Sequence, residues 1–317
     1  MTRRPSPVEW LVFGALGFAW GSSYLFIKIG VETLTPLTLV AGRLAIGAAV
    51  LAVVMVLARQ ALPRHRSAYV HLLGEAMLGI VIPFFLITWG EQSISSALAA
   101  ILNGTVPLFA VMLAAVILID EPITTNRLVG LMVGFAGVIL ITSPSFATGL
   151  DGSLAGQLAL LGASVSYAAA GVYARRFVKG VAPLGSAFLE VGFAFVISLG
   201  LAFAFEDPLA TRVEVSTVVS VVWLGLIGSG LAFLGFFYLL NRWGATRTSM
   251  VAYLLPVVGV VLGVLVRSEA ISLPVLAGMV LIIGGVALAN MRFGQRRLIG
   301  RRQPAAVSQE GAVPTGK

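Results

Sequence analysis

The sequence predicts an all-α integral membrane protein in which ten transmembrane helices form two inverted five-helix repeats. Three observations carry that prediction. Hydrophobic residues make up 58% of the 317 residues and charged ones 11%, against roughly 45–50% and 25% in soluble domains. Apolar runs of about 18 residues or more, enough to cross a hydrocarbon layer of roughly 30 Å, recur along the chain. The pattern of the first half also returns in the second. Pro107 and Pro256 lie 149 residues apart, and Glu121/Glu269, Gly130/Gly278 and Gly137/Gly285 each lie 148 apart. The chain is therefore a duplication.

The net charge of +8 does not indicate nucleic acid, because the basic residues sit in short runs between apolar segments and in the C-terminal tail, as in membrane proteins. With no cysteine, disulfides, thiolate metal ligands and cysteine nucleophiles are excluded. His65 and His71 lie in or beside one loop, which disfavours a multi-histidine metal site. No metal, cofactor or catalytic residue is expected.

The first span is expected from Trp10 to Ile27, just after Arg3 and Arg4. It is of transmembrane length and is followed by no clear small-residue cleavage site, so it reads as an uncleaved helix rather than a signal peptide. Trp20, Ser22, Ser23 and Tyr24 fall near its middle, Trp20 being roughly 15 Å from Trp10 at 1.5 Å per residue. Gly21 and the serines either let helices pack closely or line a cavity, and polar and aromatic groups clustered at one depth favour the cavity. The second span, about Thr38 to Ala58, contains Arg43. The third, about Val70 to Trp89, contains Glu75 and Pro83. The fourth runs through Asn103 and Pro107 to Ile119, and Pro107 should kink it and free the carbonyl of Asn103.

Asp120-Glu121-Pro122 falls at the membrane boundary, and its counterpart Arg267-Ser268-Glu269 keeps only the glutamate. That disfavours a catalytic or metal-binding pair. Glu121 and Glu269 are instead placed to take free backbone N–H groups where the next helix starts. The fifth span, about Leu128 to Thr142, carries a close-packing face of Gly130, Gly134 and Gly137. Such a face joins helices within one chain or pairs two copies in a homodimer. Residues 144–153 then read as the linker between a first repeat, 8–143, and a second, 154–292.

In the sixth span, about Leu154 to Ala174, Tyr167 matches Trp20. Arg175 matches Lys28, Pro183 matches Pro36 and Glu190 faces Arg43 in the alignment, all at an offset of 147. The remaining spans are about Leu184 to Phe205, Val215 to Leu240, Thr248 to Val266, which contains Tyr253 and Pro256, and Leu273 to Met291. Residues 293–317 form a basic tail expected to be disordered. Because five is odd, the second repeat must enter the membrane upside down. With the N-terminus inside, 17 of the 21 basic residues fall on inner segments and tails, three (Lys28, Arg212, Arg267) at outer ends and one, Arg43, within a span. The positive-inside rule then puts both termini in the cytoplasm.

Arg43 and Glu190 are expected to do different jobs and not to pair. Arginine stays charged, so Arg43 needs a carboxylate, backbone carbonyls or an anionic substrate group. A buried carboxyl can become neutral, which makes Glu190 the proton-coupling candidate; a packing carboxylate bonded to serines or paired with a basic side chain is the alternative. Trp20, Ser22, Ser23, Tyr24, Arg43, Asn103, Tyr167 and Tyr253 are the cavity candidates. Pro107, Pro256, Glu121, Glu269, Gly130, Gly134, Gly137, Gly278 and Gly285 are assigned structural roles.

Trp20-Gly21-Ser22-Ser23 with Lys28, Arg43 after Thr35-Pro36, Pro107 with Glu121-Pro122, and Gly130/Gly137 make up one copy of a pattern. Its recurrence through Ala245-Thr246-Arg247, Pro256, Glu269, Gly278 and Gly285 completes it. Over residues 8–292 this resembles the EamA family of the drug/metabolite transporter superfamily. The resemblance implies a ten-helix inner-membrane carrier with a central cavity, exporting or importing amino acids, metabolites or drugs. Glu190 departs from the family pattern, so no family-wide substrate carries over. The implied partners are a small-molecule substrate and the lipid bilayer. The alternative is a flippase for a lipid-linked substrate. An intramembrane enzyme would need paired aspartates or a Ser–His pair at depth, and a scaffold would not need a polar midplane. No P-loop is present to drive pumping by ATP.

Overall fold

A segment in hydrocarbon must satisfy its own backbone groups, so apolar runs of this length become helices. The computed structural model describes residues 5–118, 123–147, 152–178, 180–210, 214–291 and 297–299. Asp120, Glu121, the middle of the linker, Lys179, Arg212 and residues 300–317 lie outside them. Ten described helices are long and apolar enough to cross a membrane: α1 (Pro7–Gly30), α2 (Pro36–Leu57), α3 (Arg66–Gly90), α4 (Ser96–Ile117), α5 (Thr125–Ser145), α6 (Ser153–Phe177), α7 (Pro183–Phe205), α8 (Val215–Trp243), α9 (Ser249–Arg267) and α10 (Leu273–Asn290). The chain is a multi-pass membrane protein. Large apolar side chains such as Val116, Phe205, Leu265 and Leu273 are exposed, as helix faces in lipid require.

Local chemistry sets the helix ends. Ser6 and Glu9 form a reciprocal capping box at the start of α1, which satisfies two otherwise free donors. Pro36 and Pro183 open α2 and α7, where a missing N–H costs nothing. Helix α5 runs further than expected, into the predicted linker. Thr142 Oγ1 bonds the Val138 carbonyl at 2.9 Å and Ser143 Oγ that of Leu140 at 3.2 Å, so these polar residues satisfy a last helical turn rather than end it.

Four irregularities interrupt the helices, and they recur. Helix α3 contains a π segment, Met77–Val81, and α8 another, Trp223–Leu231; their first residues are 146 apart. Helix α4 breaks at Gly104 and Thr105, and α9 opens with a 3-10 stretch, Ser249–Tyr253, ahead of Pro256. The interfaces recur too. Helix α5 packs on α10, α2 on α7 and α4 on α9; α3 packs on α6 as α8 does on α1, α1 on α9 as α6 on α4, and α2 on α8 as α7 on α3. Exchanging each helix with the one five places on maps this set onto itself.

The glycine faces are consumed inside the chain. A Cβ on Gly130 would lie 2.5 Å from the Ala289 nitrogen, one on Gly285 would lie 2.5 Å from the Gly134 nitrogen, and one on Gly137 would lie 2.7 Å from the Gly278 oxygen. Only glycine lets the α5 and α10 backbones approach this closely. Gly134 instead admits the Leu108 side chain of α4. The face that could have paired two copies therefore joins the two halves of one chain.

Ten successive crossings put Pro7 and Asn290 on one face, termed terminal, and the turns after Gly30, Gly90, Phe205 and Arg267 on the other, termed distal. On the terminal face Ile123–Thr124 pairs antiparallel with Arg297–Ile299, tying part of the tail expected to be disordered to the start of α5.

Candidate functional site

The polar residues of α1, α4 and α6 meet where α4 breaks. Asn103, in the last turn before the break, donates from Nδ2 to the Tyr24 hydroxyl at 2.6 Å and accepts from Ser164 Oγ at 3.4 Å. At the break the Leu102 oxygen accepts from Thr105 N at 3.1 Å and gathers two hydroxyls as well. Thr105 Oγ1 folds back on the Leu102 oxygen at 2.6 Å, and Ser164 Oγ reaches the same oxygen at 3.3 Å. The two proline-bearing helices cross at their irregular segments: a Cβ on Gly104 would stand 3.0 Å from Pro256 Cγ.

Beside this cluster, α2 and α8 hold Arg43. Its guanidinium, in a residue only 4% exposed, donates from Nε and Nη2 to the single hydroxyl of Ser229 at 3.3 and 3.2 Å. It also lies 4.1 Å from the centre of the Phe84 ring. The π segment makes this possible. Its glycines let α2 press so close that a Cβ on Gly225 would lie 2.8 Å from the Arg43 carbonyl oxygen, and Ser229 is then in reach. Ser23 Oγ and Arg43 Nη2 flank the same side of Gly228, at 3.0 and 3.4 Å from where a Cβ would be. Tyr24, Tyr167 and Glu91 are near enough to act electrostatically on the cation. Among the described residues no carboxylate is bonded to it.

Each π segment gives a carbonyl to a neighbouring helix. Trp20 Nε1 donates to the Gly228 oxygen at 3.2 Å, and Ser166 Oγ donates to that of Leu78 at 2.6 Å. Displaced carbonyls at π bulges are frequent at functional sites. Trp20 is thereby tied to α8, its ring tilted at 45° against that of Phe236, and Tyr167 packs against the core of α1 and α4.

Two cavity candidates lie elsewhere. Ser22 Oγ accepts from Trp223 Nε1 at 3.0 Å, because one residue along a helix turns about 100° and Ser22 thus leaves the Ser23 side. Tyr253 accepts from Asn290 Nδ2 at 3.1 Å, at the end of α10. The residue 149 after Asn103 is Ala252, so Tyr253 is one position out of register with the central face.

Among the described residues Glu190 bonds neither a serine nor a basic side chain. Its carboxyl lies beside that of Glu75 on α3, near enough for the two to act on each other. Glu269 has a helix-end role, on another helix than expected. It accepts from Ser96 N at 2.9 Å, Ser96 Oγ at 2.8 Å and Ala97 N at 2.9 Å, capping α4 instead of α10. Glu206, which sequence reasoning passed over, caps α2 in the same way through Leu37 N and Thr38 N at 2.9 and 2.8 Å. Its position just after an apolar run was the available signal.

Lys28 donates to the carbonyls of Glu91 and Ile94 at 2.6 and 2.8 Å. The Glu91 side chain, in the turn between α3 and α4, is fully buried, and among the described residues neither oxygen is hydrogen-bonded. Burial pushes its carboxyl well above the usual carboxylate range, against the pull of the Lys28 ammonium. Nothing in the pattern of the sequence singled Glu91 out.

Between α2, α3 and α7 an open groove of about 530 Å³ is walled by apolar residues including Met77, Phe85 and Phe205, with Gln92 and Glu206 on its lining. Among the described residues no group of histidine, aspartate and glutamate side chains is arranged to hold a metal ion.

A family model described as the EamA-like transporter family matches residues 9–143 and again 154–291. An uncharacterized inner membrane transporter of Escherichia coli K12, YedA, is 31% identical over 82% of this chain and 84% of its own. An uncharacterized transporter of Bacillus subtilis strain 168, YoaV, is 26% identical over 88% of this chain and 95% of its own. One solved crystal structure superposes with a TM-score of 0.64 at 24% identity, over 90% of this chain and 97% of that one. At that identity the superposition speaks to the fold.

Proposed function

Because the chain belongs to the EamA-like transporter family, and is thus a membrane transporter, we propose that it is a secondary carrier of small metabolites with an anionic group, amino acids among them. One observation carries this reading. Arg43 is a buried cation held by one hydroxyl and an aromatic face, which leaves guanidinium donors for a carboxylate at the level where Tyr24, Asn103 and Ser164 converge. The recurrence of irregular segments and interfaces supports two inverted repeats with the site at their meeting. Both termini are in the cytoplasm of an inner-membrane protein on the loop-charge argument. The neighbouring carboxyls of Glu75 and Glu190 suit proton-coupled export or exchange, since a proton bound or lost there changes the charge of the terminal half of the bundle. The polypeptide itself acts as a carrier and not as an enzyme.

The test compares metabolites inside and outside cells overproducing the parent chain or Arg43→Ala. A charge-assisted hydrogen bond is worth about 1.5–3 kcal/mol, so the variant should lose roughly 10- to 100-fold of the transport rate at low substrate. Glu190→Gln, correctly inserted, should transport with a flattened pH profile. Equal transport by parent and Arg43→Ala would end the assignment. The open apolar groove beside α2, α3 and α7 favours one second reading, a flippase for a lipid-linked substrate. Exposure of lipid headgroups in vesicles without any change of the soluble pool would select it.

A further inference from the structure

Glu91 is not used by the site just described. It is fully buried, among the described residues neither of its oxygens has a hydrogen-bond donor, and the cation that acts on it most is already committed. The Lys28 ammonium, from the last turn of α1, bonds the main-chain oxygens of Glu91 and Ile94. The ionisable groups acting on the carboxyl are Lys28 and Tyr24 from α1, Arg43 from α2 and Glu269 from α9. Helix α6 packs Gly156 and Leu160 beside Gly90, and that turn holds no ionisable residue. An ionised carboxylate stripped of water and of donors is costly, whereas the neutral acid avoids most of the cost.

The turn that carries Glu91 is also where the distal face is fastened. Lys28 ties it to α1. Glu269 ties Ser96 and Ala97, immediately after it, to the end of α9, and Arg267 pairs with Glu32 across the same seam. Parting these contacts would open the turn around Glu91 to water.

We propose that Glu91 is a proton-binding site that locks the distal face: with its proton on, the carboxyl stays buried under the Lys28 clasp, and loss of that proton to the distal aqueous phase opens the seam between α1, α4 and α9. The closed form binds the proton more tightly than the open one, so by linkage low pH favours closure and rising pH favours opening. Glu91 and the Glu75–Glu190 pair then hold protons on opposite sides of Arg43. The lock rests on the carrier reading only for what its opening admits, and it is measurable without a substrate.

The chain has no cysteine, so Ala97→Cys, at a position 1% exposed, is a unique thiol inside the seam. Its labelling by an impermeant reagent is normalised to that of Gln92→Cys, an exposed position, which removes the pH dependence of thiol chemistry. The normalised rate should rise about tenfold or more from about pH 6 to about pH 9, tenfold being the yield of a one-unit difference in proton affinity between the two forms. Glu91→Gln, which copies the neutral acid, should keep labelling slow throughout. It should also remove a protonated-carboxyl band from the infrared spectrum at neutral pH. A flat profile in the Glu91 chain, a rise that survives Glu91→Gln, or an unchanged infrared band would each overturn the proposal.

Discussion

Adjacent glycines in α10 should respond to alanine with opposite signs. A Cβ on Gly284 would meet nothing within 4 Å, whereas one on Gly285 would stand 2.5 Å from the Gly134 nitrogen, 2.6 Å from the Gly130 oxygen and 2.7 Å from the Gly134 Cα. Optimal non-bonded contact is about 3.5–4.0 Å, so α5 and α10 would have to separate by about 1 Å. All three atoms are backbone, and no side chain can rotate to make room. Overpacking of this kind costs about 1–3 kcal/mol, and backbone against backbone belongs at the upper end. Helix propensity returns about 0.5–1 kcal/mol at either position. Gly285→Ala should therefore lose about 1–2 kcal/mol net, and Gly284→Ala should gain about 0.5–1. The assay is apparent melting in detergent, followed through the five tryptophans at a fixed scan rate because unfolding of such a protein is irreversible. At roughly 2–4 °C per kcal/mol, Gly285→Ala should melt roughly 3 °C or more below the parent, and Gly284→Ala at or slightly above it. If Gly285→Ala melts as high as Gly284→Ala, the close approach of the two backbones is wrong.

The cap on α4 and the orientation of the chain are open to similar tests. Glu269→Gln keeps one acceptor oxygen and turns an NH₂ group toward a backbone or hydroxyl donor, so a loss of about 2–3 kcal/mol in apparent stability is expected. Ser96→Ala should then cost less in the Glu269→Gln background than in the parent, with a coupling of about 0.5–3 kcal/mol; strict additivity would show that the two do not share a site. For orientation, an impermeant thiol reagent should label Gly149→Cys in intact cells and Leu62→Cys only after permeabilisation. The reverse pattern would invert the topology.

Much of the fold was legible because the bilayer imposes a local rule. Any stretch in hydrocarbon must bond its own backbone, so the length and composition of each run determine a helix whatever it later touches. The offsets linking Pro107 with Pro256 and Gly130 with Gly278 were likewise visible, since a proline or a glycine in an apolar run acts on its own helix. Register was less secure. Tyr253, one residue beyond the position equivalent to Asn103, turned toward α10, and Ser22 parted from Ser23, because polar residues within a single turn point to different neighbours.

What the sequence by itself determined is thus the solvent, the ten spans, the duplication and the small-residue faces, all properties of a residue and its near neighbours along one helix. The tertiary structure alone decided partners. Glycine faces that suited a homodimer equally well closed α5 onto α10, and Glu269 capped α4, 173 residues away, because the end of α9 lies over it. Glu190 met Glu75 where either a serine or a base would have served. Glu91 reads in the sequence as an ordinary charged residue just past a membrane helix. Only the convergence of α1, α6 and α9 on that turn removes its water, and burial, which comes from helices distant in the chain, is what makes its charge costly and its proton worth holding.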